Sequence, residues 1–576
     1  MRLFRWALIA ILITVFGAAI YQTAAWWGGW GMGNDSQVKP LDGNDQEIAF
    51  IEPATSIDEW GRLVTSLQLT EVNWPRINPD LPVLKVSLAD AFPALSADVP
   101  EVVFSFAGNP AQKLRLRWYK ITGEHDAASW VRKLRERRRQ PLAIVGGGTT
   151  GRAIKLAYTL KKAYGDDPEQ PAPALIFTTA TSEKTTSGKS LIHVYAGRTF
   201  RFSFTNERMV EALLQFVERR RVPEEDRSWA HNLWVNKNND SATLAAVVAG
   251  MAGSGDYCQA WVAMQTFPYL QPYAMHAVTW QDERYSQDMT DLFEKKLSER
   301  SPLAEFFHEN SIRYGVGGFF HPSPQEQDAV GIFLARPTPV TPHSFLLLPT
   351  QTVRMRRFLI NLRQRSPQDA RNLVILNGDA ISFHSVYRDR DVTWNILDLP
   401  YSLIFFTHRN PIDHSAGFVW TKGENGNGGN SFPPRSTTGT QDVLLYRDIF
   451  EALLYAASDK GTILGDPLQV RRRLHATCWY EPPLGKPDQE AARVCNAEVH
   501  AIKGEHLPLF DADGDRRSHT GEHIVWVKPN FTGDRVDLTG KISVWSMLPA
   551  RVGGGWALLE AHDAVYNQLR LEDQTP

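Results

Sequence analysis

Short apolar runs alternating with amphipathic helical stretches constrain this chain more than any other feature. The pattern starts near Val83. Leu114 to Ile121 reads as a strand, Asp126 to Arg139 as a helix and Leu142 to Val145 as a buried strand. Gly146-Gly147-Gly148-Thr149-Thr150-Gly151 turns the chain into a helix over Arg152 to Ala163, and Ala174 to Phe177 is the next strand, ending in Thr178-Thr179-Ala180-Thr181-Ser182. The alternation resumes with the strands Phe200 to Phe204, Met275 to Trp280, Phe345 to Leu348, Leu373 to Leu376 and Leu403 to Phe406. Helices Glu207 to Glu218, Ser286 to Leu297, Val353 to Arg365 and Leu444 to Ala457 lie between and after them. Apolar strands without polar alternation, separated by helices, predict an α/β architecture with largely parallel sheets covered on both faces. Gly423 to Gly439, rich in Gly, Asn, Ser and Pro, reads as a mobile surface loop.

Ahead of this body lies an uncharged stretch from Trp6 to Asn34, preceded by Arg2 and Arg5 and followed by Asp35 and Asp42. Positive charge before the apolar core (Trp6 to Tyr21) and acidic residues after it orient the chain with its C-terminal part outside the cytoplasm. The core is short for a bilayer span and reaches about 20 residues only if Gln22 to Trp27 are counted. Trp26, Trp27 and Trp30 would then sit among the far headgroups. The alternative is a signal peptide cleaved near Ala24 and Ala25. No Cys follows the segment, so it is not a lipoprotein anchor. Either way the expected location is extracytoplasmic: single-pass in a bacterial-type inner membrane, with a periplasmic C-terminal domain.

Composition narrows the function. A formal net charge of −2 across 576 residues gives no basic face for a nucleic-acid partner. Three cysteines cannot build a disulfide scaffold; Cys478 and Cys495 flank a Pro- and Gly-bearing loop and either pair in an oxidising compartment or stay as buried thiols.

Several stretches approach catalytic signatures. Gly146-x-Gly148-x-x-Gly151 fits the dinucleotide fingerprint, but the following strand ends in Thr178 and Thr179, without the acid that binds a ribose. As a phosphate loop the same stretch has Arg152 for Lys and Ala153 for Ser or Thr, and Gly188-Lys189-Ser190 has Glu183 in place of the first glycine. His519-x-x-Glu522-His523 spells an inverted zinc-protease motif. That chemistry needs a helix, whereas Gly521, the turn Asp511 to Asp515 and the apolar run Ile524 to Val527 predict a hairpin. Glycine fourth rather than sixth in Asp511 to Asp515 also rules out a calcium loop. Ala252 precedes Ser254 where a nucleophile elbow needs glycine. No cofactor and no metal are expected, and no enzyme activity.

Taken in order, the turns resemble the type I periplasmic ligand-binding family, which includes the branched-chain amino-acid binding proteins and related receptor ectodomains. The resemblance covers Leu114 to Val527. Leu142 to Gly151 is similar to the strand and hydroxyl-rich turn that opens the family's ligand cleft, and Leu175 to Ser182 to its strand ending in Ala-Thr. Thr199 to Ser203 with Asn206 resembles the Phe-Arg segment leaving the first lobe. Asp282 to Phe293 resembles the strand–helix entry of the second lobe, with Ser286 for the usual glycine. Tyr446-Arg447-Asp448-Ile449 is similar to the Tyr-Asp-Ala helix and Phe510 to Asp515 to a C-terminal hairpin. The chain departs from the family in two places. Val83 to Phe106 lacks a clear opening helix, and Pro223 to Phe267 is longer than the usual crossover.

The resemblance implies a two-lobed fold with parallel sheets flanked by helices, and the N-terminal segment places one transmembrane helix ahead of it. The expected division is 1–34 anchor or signal peptide, 35–82 stalk and entry segment, 83–217 first part of lobe 1, 218–399 first part of lobe 2, 400–475 return to lobe 1, and 476–576 completion of lobe 2 with a tail. Strand C-termini meet helix N-termini at the cleft, where backbone N–H groups favour an anion. Thr149, Thr150, Ala180 and Thr181 are therefore candidates to hold a carboxylate-like group, with ordinary N-capping as the alternative role. Tyr285 is placed to cover the ligand and Asp379 to pair with an amine, unless Asp379 only shapes the Asn377-Gly378 turn. The implied partners are a small amino-acid-like solute, the inner membrane, and a transporter or other envelope protein. A scaffold that keeps the fold without a ligand is the rival, and a metal- or nucleotide-dependent enzyme a lesser one.

Overall fold

The computed structural model describes residues 38–77, 82–92, 98–219, 275–300, 307–312, 328–335, 344–381, 402–407 and 440–481, and beyond them Asp513 and the strands between 493 and 565. The expected membrane segment 1–34 and the loop 423–439 lie outside the described residues. Among those described, no helix is long and apolar enough to cross a membrane.

The first sheet has the order β2-β3-β4-β1-β5-β6-β7, built from β1 (Gln46–Pro53), β2 (Leu84–Ser87), β3 (Glu101–Phe106), β4 (Asn109–Ile121), β5 (Ala143–Gly146), β6 (Ala174–Phe177) and β7 (Thr199–Arg201). β1 pairs in parallel with both β4 and β5, and β5, β6 and β7 continue the parallel set; β2 and β3 add antiparallel strands at the far edge. Successive residues of β1 point to opposite faces. Ile48 and Phe50 join a core with Trp60, Leu63 and Leu67 of α1 (Ile57–Ile77). Ala49 and Ile51 face a second core with Trp130 and Leu134 of α2 (Ala127–Arg135) and Leu156 and Leu160 of α3 (Thr150–Tyr164). The rings of Phe50, Trp60 and Trp118 lock the first face, with centroids 5.5–6.2 Å apart.

Part of the stretch expected to be a stalk and entry segment, 35–82, thus forms the middle strand and first helix of this lobe. Its two buried acids disguise it. Glu47 and Glu52 are fully enclosed, which in sequence makes β1 look polar. Buried acids persist only when paired, and here Arg117 and Arg137 hold Glu47 while Arg152 holds Glu52. The opening strand and helix missing from Val83 to Phe106 are β1 and α1.

The second sheet has the order β22-β21-β18-β12-β11-β10-β8-β9. Its parallel part is β8 (Met275–Trp280), β9 (Phe307–Ile312), β10 (Ser344–Leu347), β11 (Leu373–Leu376) and β12 (Ser402–Thr407). One face packs against α4 (Asn206–Arg219) and α5 (Arg284–Arg300) through Met209, Leu213, Met289 and Phe293. Three further helices, α6 (Ala329–Leu334), α7 (Thr352–Arg365) and α8 (Pro367–Asn372), accompany the strands. β7 stays in the first sheet and α4 joins the second core, so the chain crosses at 202–206, earlier than the boundary expected at 217. β12 belongs to the second sheet, whereas α9 (Thr440–Ala457) and α10 (Pro467–His475) return to the first core.

Between those two helices a hairpin of β13 (Ser458–Asp459) and β14 (Thr462–Ile463) turns through Lys460 and Gly461, both at positive φ (47° and 86°). A small antiparallel sheet of β15 (Thr477–Glu481), β16 (Arg493–Asn496) and β17 (Glu505–Pro508) follows. Its register sets Cys478 directly opposite Cys495. Antiparallel partners of this kind have Cα atoms about 4.5–5.5 Å apart, within the span of a disulfide. β18 (Glu522–Val527), a separate hairpin of β19 (Asn530–Thr532) and β20 (Arg535–Asp537), then β21 (Lys541–Pro549) and β22 (Trp556–Val565) end the chain. β18, β21 and β22 complete the second sheet in antiparallel order. Glu522 and His523 are therefore strand residues, not the helical neighbours that the zinc motif requires; His519 lies outside the described residues.

Candidate functional site

Both parallel sheets end at one seam. On the first lobe, β5 ends at Gly146, where any side chain is excluded because an added Cβ would lie 2.8 Å from the Ile51 carbonyl. Gly147 then takes φ +80°, where a Cβ would crowd Ala153 at 2.9 Å. Thr149 caps α3, its hydroxyl accepting from the Arg152 N–H at 3.5 Å. The Gly148 N–H points to where an anion would bind, but it donates to Glu52 Oε1 at 2.7 Å. Arg152 reaches back to Glu52 Oε2 at 3.0 Å. The residue that spoils a phosphate loop in sequence thus binds a buried acid of the chain itself. Gly151 has nothing within 4 Å of an added Cβ, so the close helix–strand approach that a dinucleotide fingerprint uses is missing too.

Burial, and then the charge of Glu59 on α1, push the Glu52 carboxyl up to about 8 against the pull of Gly148 and Arg152. Glu59 in turn accepts from the Tyr446 hydroxyl at 2.7 Å. The second lobe repeats the device. Glu283, just after β8, accepts from Thr350 Oγ1 at 2.7 Å and from Arg354 at 3.1 Å, and burial raises it to about 7. In both lobes an acid at the end of one strand is held by an arginine from the helix after the neighbouring strand.

These raised values fix the sign of a pH dependence. Unfolded glutamate titrates near 4.3, so the stability these two groups contribute is complete below that pH. It is lost as pH rises towards 7 and 8, where holding a charge in the folded state has become unfavourable. Glu59→Gln removes the charge that lifts Glu52. Melting temperatures of the variant are expected to fall less than those of the wild type between pH 5 and 8; parallel curves would refute the coupling.

The second turn of the first lobe meets the second lobe directly. Thr181 Oγ1 lies 3.5 Å from Asp379 Oδ1. Tyr285 is buried with its hydroxyl beside Asp379 and the Ala380 backbone; burial first, then the Asp379 charge, hold it well above the ordinary tyrosine range. Asn377, not Asp379, makes the turn: its amide donates to the carbonyls of Leu348 (2.6 Å) and Thr350 (3.2 Å), and its Oδ1 accepts from the Gly378 N–H. Gly378 has no room for a Cβ, which would overlap the Tyr285 hydroxyl. Thr150 donates to Ser182 at 3.1 Å, and Ser182 accepts from Asn206 at 3.5 Å. Asp288 of α5 closes the seam, accepting from the Glu183 N–H at 3.0 Å and from Asn206 Nδ2 at 2.9 Å.

Of the six residues expected at a site, Thr181, Tyr285 and Asp379 come together, and Thr150 stands one hydroxyl away. Thr149 is occupied as a cap. Ala180 is buried in the lobe 1 core, and its carbonyl accepts from Ser203 at 3.1 Å. Sequence reasoning missed Glu52, Glu59, Ser182, Asn206, Asp288 and Glu283. Acids within three residues of a strand's end, as Glu52 and Glu283 are, were the available signal. Among the described residues no group of side chains is set to hold a metal ion.

No family model matches the chain, and no curated protein does. Among solved structures it is similar to an ABC transporter substrate-binding protein from Desulfitobacterium hafniense in complex with Leu, at 11% identity, covering 86% of this chain and 99% of that one, with a TM-score of 0.45. A leucine binding protein from Thermotoga maritima matches at 13% identity, 89% and 98% coverage and TM-score 0.44. A solute binding protein from R. palustris in complex with 4-hydroxybenzoate matches at 9%, 85% and 95% coverage and TM-score 0.44. These are binding proteins of the class that the turn residues resemble. At such identities and scores the likeness does not extend to what this chain binds.

Proposed function

We propose that this chain is a solute-binding or sensing protein of the type I periplasmic kind, held by residues 1–34 at the outer face of an inner membrane. Its two lobes close on a small amino-acid-like ligand and serve a transporter or another envelope protein. The observation that carries the reading is the convergence of strand-end turns from two parallel sheets on Thr181, Asp379 and Tyr285. Open α/β sheets bind ligands at such strand ends. The hydroxyls of Thr150 and Thr181 would take the ligand's carboxylate, since the Gly148 N–H already serves Glu52. Asp379 would receive its amine and Tyr285 would roof it. No covalent step is required.

A thermal-shift panel of amino acids and related acids tests this. A specific ligand at about a hundred times its Kd stabilises by about 2.7 kcal/mol. Asp379→Asn is expected to weaken binding of amine-bearing solutes at least tenfold while leaving the fold intact. The scaffold is favoured instead by the chain's own acids, since Glu52 fills the turn's N–H and Asp288 links the turn of one lobe to a helix of the other. Absence of stabilisation by every solute would select that reading.

A further inference from the structure

A second cluster lies at the N-terminal end of β7, the opposite end of the strands from the seam. Arg198, just before β7, is 1% exposed, and Arg471 on α10 is 4% exposed. Arg198 stacks over Tyr195 at 5.0 Å and spends Nη1 on the Gly165 carbonyl at 3.2 Å. Its Nε and Nη2, and Nη1 of Arg471, are buried and reach no acceptor among the described residues. Nearby acids are engaged elsewhere and lie in solvent: Asp166 pairs with Lys161 at 2.8 Å and Glu169 with Arg472 at 2.7 Å. Neither Arg198 nor Arg471 forms an ion pair among the described residues, and Asp166 and Glu169 act on them only through longer-range attraction. Burial and the like charge of Arg198 both oppose the charged form of Arg471.

The buried guanidinium of Arg117 in this lobe, by contrast, is matched by Glu47 and Glu101. Unpaired burial of charge is costly, and planar guanidinium forks suit an oxyanion bidentately. We propose that Arg198 and Arg471 form an anion site, separate from the interlobe seam, for a tetrahedral oxyanion of the phosphate or sulfate type. The exposed loop 165–171 lies over it, with Pro168 3.4 Å from where a Cβ on Gly197 would stand. That cover favours a free ion over a phosphate ester.

The test is thermal unfolding of the full-length protein in phosphate, sulfate, glycerol 3-phosphate and chloride at matched ionic strength. Phosphate or sulfate is expected to raise the melting temperature saturably and chloride is not. Arg471→Met should abolish the effect and Arg471→Lys should weaken it. An equal response to the ester would keep the site and assign its source to phosphate esters. If Arg471→Met does not fold, saturable broadening of the inorganic phosphate ³¹P signal by the wild type replaces it. No saturable response, or the same response in Arg471→Met, overturns the proposal.

Discussion

Arg117→Met is expected to lower the stability of the folded chain by about 3–5 kcal/mol, the cost of leaving a buried acid without its partner. Arg117 is 2% exposed in the middle of the first sheet. It donates to Glu101 at 2.8 Å, to Glu47 at 2.9 Å, and to the carbonyls of Lys39 (2.8 Å) and Pro40 (3.2 Å). Glu47 also accepts from Tyr119 and Arg137, at 3.1 Å each. Methionine fills the volume but leaves two carboxylates facing each other. The denaturation midpoint reads the loss, and Arg117→Met combined with Glu47→Leu should recover part of it, because apolar replacement of a buried pair is often neutral. A loss under about 1 kcal/mol would mean that the network is no better than a surface pair. Acid should mimic the variant. Burial opposes the charge on Glu101, but Arg117 outweighs it and holds the carboxyl below its usual value. The contribution of Glu101 is complete above about pH 4.3 and disappears as pH falls through the lowered value. The same arginine fixes residues 39 and 40, where the chain enters the domain.

Asp288→Ala is expected to open the seam. Asp288 is 3% exposed and joins the turn after β6 to α5 through the Glu183 N–H and the Asn206 amide. Removing its carboxylate takes the acceptor from the Glu183 N–H and the shorter of two from the Asn206 amide, at a cost of about 2–4 kcal/mol if the lobes stay closed. Separation into water relieves that cost, so the radius of gyration in solution scattering should rise above the wild-type value. An unchanged radius together with unchanged stability would show that the bridge is not what keeps the lobes together. Hinge-bending about a few element-terminal residues is the expected motion, and the crossing at 202–206 is one such place.

Much of the fold was legible because buried parallel strands are apolar without alternation. The strands Ala174–Phe177, Met275–Trp280 and Leu373–Leu376 match the expected runs residue for residue. β1 was not legible, since Glu47 and Glu52 interrupt its pattern and their arginines lie 70–100 positions away in sequence. The lobe assignment of Ser402–Thr407 failed for a similar reason: an apolar strand does not say which sheet it joins. At the seam the expected turns are where they were placed, but hydroxyl-rich turns look alike whether they bind a ligand or each other. Thr149 as a cap and Glu52 on the Gly148 N–H are long-range outcomes that local spacing cannot encode.

The central claim is that a solute binds where the two lobes meet. Hydrogen–deuterium exchange of the full-length protein, with and without the strongest stabilising solute, tests it most directly. Protection is expected in 146–151, 178–183, 280–285 and 376–380 together, because closure on a ligand shields all four strand-end turns. Protection confined to one lobe, or none at these turns under saturating solute, would contradict it.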